Sequence, residues 1–227
     1  EEPSMIKAEI QQSIPIRVDF PHALDQSELL RWRSKKWDWL VPGASYATRI
    51  HARNELGQIS RSTAPSSAAN AMNVAKKTLS KIRRITSIDK ISVASMKLHK
   101  FYQDQLISRS RITHCCGGAL NYFVRKFLEI PACRSAMIGV APNNFENFGF
   151  VDGIHYLACD HDSVGRVGSE LLKSESLQRQ LIENAHTLVA NQYTTGIRAQ
   201  QMIDAMRLLA KGDLRGGRYL NGKLELY

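Results

Sequence analysis

The chain has 227 residues, 43% of them hydrophobic, which is enough to bury the core of one α/β domain with extensions but too short for two complete Rossmann-like domains. Its net charge of +10 favours anionic partners such as nucleic acid, a negative membrane surface, or an anionic nucleotide or glycan. No stretch approaches the roughly 18 apolar residues of a membrane span, and Glu1-Glu2 does not resemble a signal peptide. We therefore expect a cytoplasmic protein, with a peripheral position at the inner face of the membrane as the alternative.

For residues 1–33, the sequence pattern predicts little regular structure apart from one helix. Residues 1–13 are compatible with a short helix or a ragged end, and Ile14–Phe20 alternates enough for an extended segment. Residues Asp25–Arg33 are predicted to form a helix, capped by Asp25 or Ser27.

A first βα unit follows. Trp37–Val41 predicts a strand, and a helix is expected from about Ser45 to Leu56, closed by Gly57. Gly43, in the turn between them, permits close approach of the backbone to a ligand. Arg49 lies one turn into the helix and is a candidate ligand contact. The alternative interpretation is that it only belongs to an exposed helix face and has no function.

The middle of the chain carries a basic segment. After a loop at Ser60–Ser67, residues 68–84 predict an amphipathic helix with one basic side, which suits solvent or anionic lipid. The absence of aromatic residues among its basic ones argues against nucleic acid. A short strand at Ile91–Ala94 and a helix at Met96–Leu106 are expected next.

The most informative stretch has the pattern of strand, glycine turn, helix and strand. Arg111–Cys115 predicts a strand that stops at Gly117-Gly118, Asn121–Ala132 has helical periodicity, and Ala136–Val140 is typical of a buried parallel strand. Such a turn places backbone N–H groups and a positive helix end where a phosphate can bind.

Two charged residues of this helix, Arg125 and Glu129, are four positions apart and share one face. A cation and a carboxylate one turn beyond a phosphate-binding turn would suit a nucleotide diphosphate. The alternative interpretation is a surface ion pair next to a glycine that serves only the turn.

Beyond this stretch, the pattern predicts one more strand, three helices and a hairpin or loose end. In order, they are the strand His155–Cys159, the helices Asp162–Lys173, Leu177–Gln192 and Thr195–Lys211, and the segment Asp213–Tyr227. His155, at the start of its strand, is a candidate ligand contact, but a histidine there more often satisfies only its own hydrogen bonds.

The four cysteines, Cys115, Cys116, Cys133 and Cys159, lack the spacing of a zinc site, and adjacent cysteines make a poor disulfide. We expect buried, reduced thiols. A nucleophilic pair of His114 and Cys115 is the alternative, but neighbouring residues on a strand point to opposite faces.

Three blocks of the chain resemble, in order, the carboxy-terminal half of group 1 glycosyltransferases, which are two-domain enzymes of the GT-B fold. They are Trp37–Leu56, the run R-K-F-L-E-I-P-A-C at 125–133 with the G-F-V-D-G-I-H-Y-L that follows, and Leu171–Arg198. The resemblance implies a Rossmann-like parallel sheet with flanking helices and a helical tail. It divides the chain into a linker or acceptor-domain remnant (1–36), a nucleotide-sugar-binding domain (37–211) and an extension (212–227).

The resemblance also assigns roles. Glu129 matches the carboxylate that accepts hydrogen bonds from the ribose, while Arg125 and the amides after Gly117-Gly118 would meet the diphosphate. Gly43 and Arg49 would approach from the opposite wall.

Asn121 stands where retaining relatives usually carry a glutamate near the transferred sugar, so retention or inversion stays open. Many enzymes of this fold need no metal, so neither metal nor cofactor is expected. The implied function is transfer of a sugar, in the hexosyltransferase class, from a nucleotide-diphosphate sugar to a glycan or other acceptor, in surface polysaccharide or glycoconjugate synthesis. An acceptor domain or partner chain would then be missing. The alternative is a non-catalytic basic α/β module that binds a polyanion or a protein.

Overall fold

A computed structural model describes residues 16–43, 47–64 and 98–227. The predicted elements at 1–13, 68–84 and 91–94 lie outside the described residues.

In the described part of the chain, four parallel strands form one sheet in the order β1-β2-β3-β4. They are β1 (Trp37–Leu40), β2 (Ser110–Cys115), β3 (Ala136–Gly139) and β4 (Leu157–Ala158). Each strand pairs in register with the next, so that Leu40 lies opposite Thr113 and Cys115 opposite Gly139. The predicted parallel sheet is confirmed.

Within the described residues, five complete α-helices, a helical segment at 98–102 and a hairpin accompany the sheet. The complete helices are α1 (Ala47–Ile59), α2 (Lys126–Ala132), α3 (Val164–Lys173), α4 (Glu175–Gln192) and α5 (Thr195–Lys211), followed by the hairpin strands β5 (Gly217–Leu220) and β6 (Lys223–Leu226). Short 3₁₀ helices occur at Gln26–Glu28, Gly118–Leu120 and Phe145–Phe148, and a π-helical turn at Gln103–Ile107.

Helices cover both faces of the sheet because both faces of its strands are apolar. Trp39 and Ile138 belong to one buried cluster with Leu56 of α1, whereas their neighbours Leu40 and Met137 belong to a second cluster. Since successive side chains on a strand point to opposite faces, the two clusters are the two sides of a Rossmann-like sheet. The predicted α/β fold class is therefore confirmed.

The helix predicted at Asp25–Arg33 is wrong beyond its first turn. Asp25 does cap a 3₁₀ turn, because its side chain accepts from the Ser27 N–H while Glu28 accepts from the Asp25 N–H. The Leu30 N–H then bonds to the carbonyl of Ala132, a long-range partner that a continuing helix would not allow.

Gly57 does not close α1, which continues to Ile59. A Cβ at Gly57 would make only ordinary contact, 3.8 Å from the Trp39 ring, so this glycine sits inside the helix without strain. The chain turns away one residue after Ile59, where the Ser60 hydroxyl donates to Asp38 at 2.6 Å.

The helix predicted to begin at Asn121 begins five residues later, at Lys126. Asn121 has a left-handed backbone (φ 44°), and a Cβ on Gly117 would lie 2.7 Å from the Asn121 Cα. The chain thus folds back tightly on itself where the periodicity predicted a helical turn.

The strand predicted at His155–Cys159 is reduced to Leu157–Ala158. The His155 N–H bonds to the Val151 carbonyl, and the Asp152 carboxylate accepts from the Ala158 N–H at 2.8 Å. These local bonds take the place of ladder bonds before the strand begins.

The helical tail agrees with its prediction. Ser174 caps α4, Thr194 caps α5, and Gly212 ends α5 in a left-handed conformation. Asn221 and Gly222 both have positive φ, which is the turn that a two-residue hairpin prefers. Within the described ranges, no helix is both long and apolar enough to cross a membrane.

All four cysteines are free and buried, as predicted. Burial raises the pKa of the Cys115 thiol to about 12, so the thiol is protonated at neutral pH. Cys115 is therefore a core residue and not an activated nucleophile.

Candidate functional site

Three loops meet at the carboxyl edge of the sheet, because β1, β2 and β3 are parallel and in register. The first contains Gly43, the second Gly117-Gly118, and the third follows Gly139. Asn121 joins the second to the third, since its side chain donates to the Ala141 carbonyl at 3.3 Å. Open parallel sheets usually bind ligands at this edge.

Gly43 in the first loop and Arg49 in α1, two of the predicted binding residues, lie close together, and their binding roles stay predictions. Gly43 has φ +98°, and a Cβ there would lie 2.6 Å from the Arg49 Nη1. Arg49 is only 8% exposed, so it does not decorate an exposed helix face. Arg53 donates to the carbonyls of Val41 and Gly43, at 3.2 and 3.0 Å. Two guanidinium groups therefore lie beside one glycine turn.

His114, near the end of β2, belongs to the same site and is 2% exposed. Burial, with added repulsion from Arg49 and Arg53, lowers its pKa to about 4. The imidazole is therefore neutral at pH 7, and none of the described residues offers its Nδ1 a hydrogen-bond partner.

Tyr102 is a second buried polar group at this site. Its hydroxyl finds no hydrogen-bond partner in the described part of the chain. Burial, together with the nearby Glu129 carboxylate, raises its pKa, so the hydroxyl keeps its proton. Helical periodicity places Tyr102 only on an apolar face, and the strand pattern gives His114 no catalytic geometry with Cys115. The available signal was the position of His114 just before the glycine turn.

The second loop is tightly closed. A Cβ on Gly117 would lie 2.7 Å from the backbone of Asn121 and Tyr122, whereas Gly118, at φ +72°, faces open space. Because α2 begins only at Lys126 and has seven residues, the helix end predicted after this turn is not formed at Asn121. Binding roles for Gly117, Gly118 and Asn121 stay predictions.

Arg125 is held by three partners. Its Nη2 donates to both oxygens of Glu28 at 2.6 and 2.7 Å, its Nη1 to the Ala23 carbonyl at 3.1 Å, and its Nε to Glu129 at 2.9 Å. The predicted contact between Arg125 and a diphosphate therefore requires these bonds to rearrange, and it stays a prediction.

Glu129 is 3% exposed and pairs with Arg125 and with His99, whose Nε2 lies 3.2 Å away. Burial raises its pKa, but the hydrogen bond from His99 and the charges of His99, Lys126 and Arg125 outweigh burial, so the net pKa is lowered. Both contacts reach Oε1, and no other described residue bonds to Oε2. The ribose role of Glu129 stays a prediction.

Replacing Glu28 by Gln should lower the free energy of unfolding by about 1–3 kcal/mol, because Arg125 would lose a charged, largely buried partner. The matched control is Glu175→Gln, which breaks an exposed pair with Arg179 and should cost about 0.5 kcal/mol or less. Urea denaturation of both variants measures the difference. Equal losses would show that Glu28 does not hold Arg125 firmly.

His155 lies away from this cluster. Its Nδ1 accepts from the Val151 N–H at 3.1 Å, and its ring lines an open surface depression of about 380 Å³. Asn184, Thr187 and Leu188 also line the depression, which includes none of the arginines at the carboxyl edge. Among the described residues, no group of three His, Cys, Asp or Glu side chains is placed to hold a metal ion.

No protein-family model and no curated protein matches this chain. Among solved structures, it is similar to the Anabaena protein HepE in complex with UDP-glucose, at 10% identity and a TM-score of 0.48, over 91% of this chain and 53% of that one. It is also similar to the C-terminal domain of a group 1 family glycosyl transferase, LpcC, from Francisella tularensis, at 14% identity and a TM-score of 0.45, over 78% and 96% of the two chains. A glycosyltransferase from Rickettsia africae matches at 11% identity and a TM-score of 0.43, over 93% and 53%.

The Francisella domain is described as a group 1 family glycosyl transferase domain, the same family that the sequence resembles. The chain spans about half the length of the Anabaena and Rickettsia proteins.

Proposed function

We propose that the carboxyl edge of the sheet binds a nucleotide-diphosphate sugar and that the chain is the donor-binding half of a glycosyltransferase. One observation carries the proposal. Arg49 and Arg53 gather beside the Gly43 turn, within electrostatic range of His114 and Tyr102, two buried side chains whose polar atoms find no partner among the described residues. Such a site is built to receive an anion with further polar groups.

The chemistry of sugar transfer explains the two arginines. When the bond between sugar and phosphate breaks, negative charge grows on the departing diphosphate, and positive charge held in place nearby stabilises that transition state. Arg49 is buried and Arg53 is anchored on two carbonyls, so neither must be ordered during the reaction. Guanidinium groups also match the geometry of phosphate oxygens.

The unpartnered groups supply the second part of the proposal. A buried nitrogen or hydroxyl without a partner is rare in folded proteins and usually contacts water or a ligand. His114 is neutral at pH 7, so it can bind a polar ligand without adding to the local positive charge. The Tyr102 hydroxyl can donate to an anionic oxygen.

Glu129 fits the ribose end of the same ligand. Its Oε1 holds the contacts with Arg125 and His99, which leaves Oε2 as an acceptor toward which a ribose hydroxyl can donate. One carboxylate oxygen, Oε1, would thus bind protein side chains, and the other, Oε2, would bind the ligand. The acceptor of the sugar, the pathway and the hexosyltransferase class belong to the proposal through the resemblance alone.

Calorimetric titration with UDP and GDP tests the proposal. Arg49→Gln should weaken binding about ten- to hundredfold, the value of one or two charged hydrogen bonds. Arg166→Gln, which removes an exposed arginine paired with Glu170 on α3, is the matched control and should bind as the parent protein does. The titration is run in EDTA, because we propose that the arginines, and not a metal ion, meet the diphosphate.

Two outcomes would overturn the proposal. One is saturable binding that Arg49→Gln and Arg166→Gln weaken equally. The other is the absence of nucleotide binding together with salt-sensitive binding to heparin, which would favour the basic α/β module for polyanions. Circular dichroism of each variant separates lost binding from lost folding.

A further inference from the structure

A basic surface patch lies at the opposite edge of the sheet from the proposed nucleotide site. Its residues are Arg31, Trp32, Arg33, Lys35 and Lys36, and we call them the tryptophan patch. The N–H of Lys36 bonds to the Arg109 carbonyl just before β2, and the Lys35 amine donates to Ser108 and Arg134, which precede β2 and β3. These contacts fix the patch beside the amino ends of the strands.

The patch carries positive charge that the described residues do not neutralise. Arg31, Arg33 and Lys36 are exposed, and none of them forms an ion pair within the described ranges. The nearby carboxylates of Glu175 and Glu183 are already paired, with Arg179 and Arg134 respectively. Arg31, Arg33 and Lys36, three cations within six consecutive residues, therefore face solvent.

Trp32 adds an apolar contact to these charges. Its side chain is 40% exposed, although tryptophan is usually well buried. The Lys35 amine lies 5.2 Å from the ring centroid and the Arg179 guanidinium 5.3 Å from it, so the ring is held by two cation–π contacts. An exposed tryptophan among cations has the composition of a membrane-interface anchor.

We propose that the tryptophan patch docks the protein onto an anionic membrane surface. Each Lys or Arg that comes near such a surface strengthens binding about fivefold, and a tryptophan ring prefers the headgroup level of a bilayer. Nucleic acid fits less well, because a base needs an open ring face and Lys35 and Arg179 already lie over the Trp32 ring.

The docked orientation follows from the topology. Parallel strands run from the amino edge, where the patch lies, to the carboxyl edge, where Gly43 and Gly117 lie. A protein bound through the patch therefore keeps the carboxyl edge turned away from the bilayer and open to solution. The membrane proposal itself does not depend on nucleotide binding.

Vesicle sedimentation tests the proposal with phosphatidylcholine vesicles and with vesicles that also contain phosphatidylserine. We expect binding to the anionic vesicles alone, reversed by high salt, with a blue shift of tryptophan emission. The double variant Arg31→Gln/Arg33→Gln should weaken binding about twentyfold. Arg166→Gln/Arg207→Gln removes the same charge from exposed sites on α3 and α5 and should weaken it about twofold or less.

Trp32→Phe gives an independent readout. The blue shift should disappear in this variant, because Trp37 and Trp39 are more buried than Trp32. The proposal is overturned by equal losses in the two double variants, by a blue shift that survives Trp32→Phe, or by failure to bind anionic vesicles. Tight binding to single-stranded RNA that depends on Trp32, in place of vesicle binding, would assign the patch to nucleic acid and overturn it too.

Discussion

Gly139→Ala is expected to cost more than about 4 kcal/mol in the free energy of unfolding, or to prevent folding altogether. Gly139 has φ +144°, and a Cβ there would lie 1.8 Å from the carbonyl oxygen of Cys115. Cys115 is the residue that pairs with Gly139 across β2 and β3. The clash is with backbone, so no change of rotamer relieves it, and the two central strands would have to separate.

The control for this prediction is Gly118→Ala, at the neighbouring turn. Gly118 also has a positive φ, +72°, but a Cβ there would meet no atom within 4 Å. Only the left-handed backbone is then penalised, at about 1–2 kcal/mol. Urea denaturation compares the two variants, and similar losses would mean that β2 and β3 can shift to accept the methyl group at Gly139.

The parts of the fold that the sequence predicted well are those encoded by local patterns. The parallel strand at β3 is a continuous apolar run, and the hairpin is set by Asn221-Gly222, whose positive φ values suit its turn. The helices of the tail have caps at Ser174 and Thr194. Each of these signals acts within a few residues, so it is visible in the sequence.

The errors arose where distant residues decide the local structure. The segment after Glu28 leaves its helical path because Leu30 bonds to Ala132, a contact that no local pattern records. Likewise, helical spacing places Arg125 beside Glu129, but it does not show the bond from Arg125 to Glu28, 97 positions away in sequence. Helical periodicity describes a face, but it does not say which partner covers that face.

The candidate site shows the same division. Gly43 and Arg49 were identified together because the turn and the start of the helix belong to one βα unit, only six positions apart. Tyr102 and His114 come from different segments and reach the site only through the tertiary fold. Whether the polar atoms of Tyr102 and His114 find hydrogen-bond partners depends on the tertiary fold, so the sequence alone does not show it.

His114 should make the stability of the protein fall between pH 6.5 and about 4. Its pKa is lowered from 6.5 to about 4 in the folded state, first by burial and then by Arg49 and Arg53. As the pH falls through this window, the unfolded chain takes up a proton that the folded protein does not, so unfolding is favoured. The full contribution, about 3 kcal/mol, is present above pH 6.5 and lost near pH 4.

Urea denaturation at several pH values measures this loss as a difference between proteins. His114→Gln should flatten the dependence between pH 6.5 and 4, whereas His22→Gln, at an exposed position, should leave it unchanged. Glu28 and Glu129 also have lowered pKa values, but they lose their stabilising effect as the pH falls through the carboxylate range, below the upper part of this window. If His114→Gln keeps the dependence of the parent protein, the imidazole must take up a proton inside the folded structure. The pKa of His114 in the folded protein would then lie near its ordinary value, which would contradict an imidazole kept neutral by burial beside the two arginines.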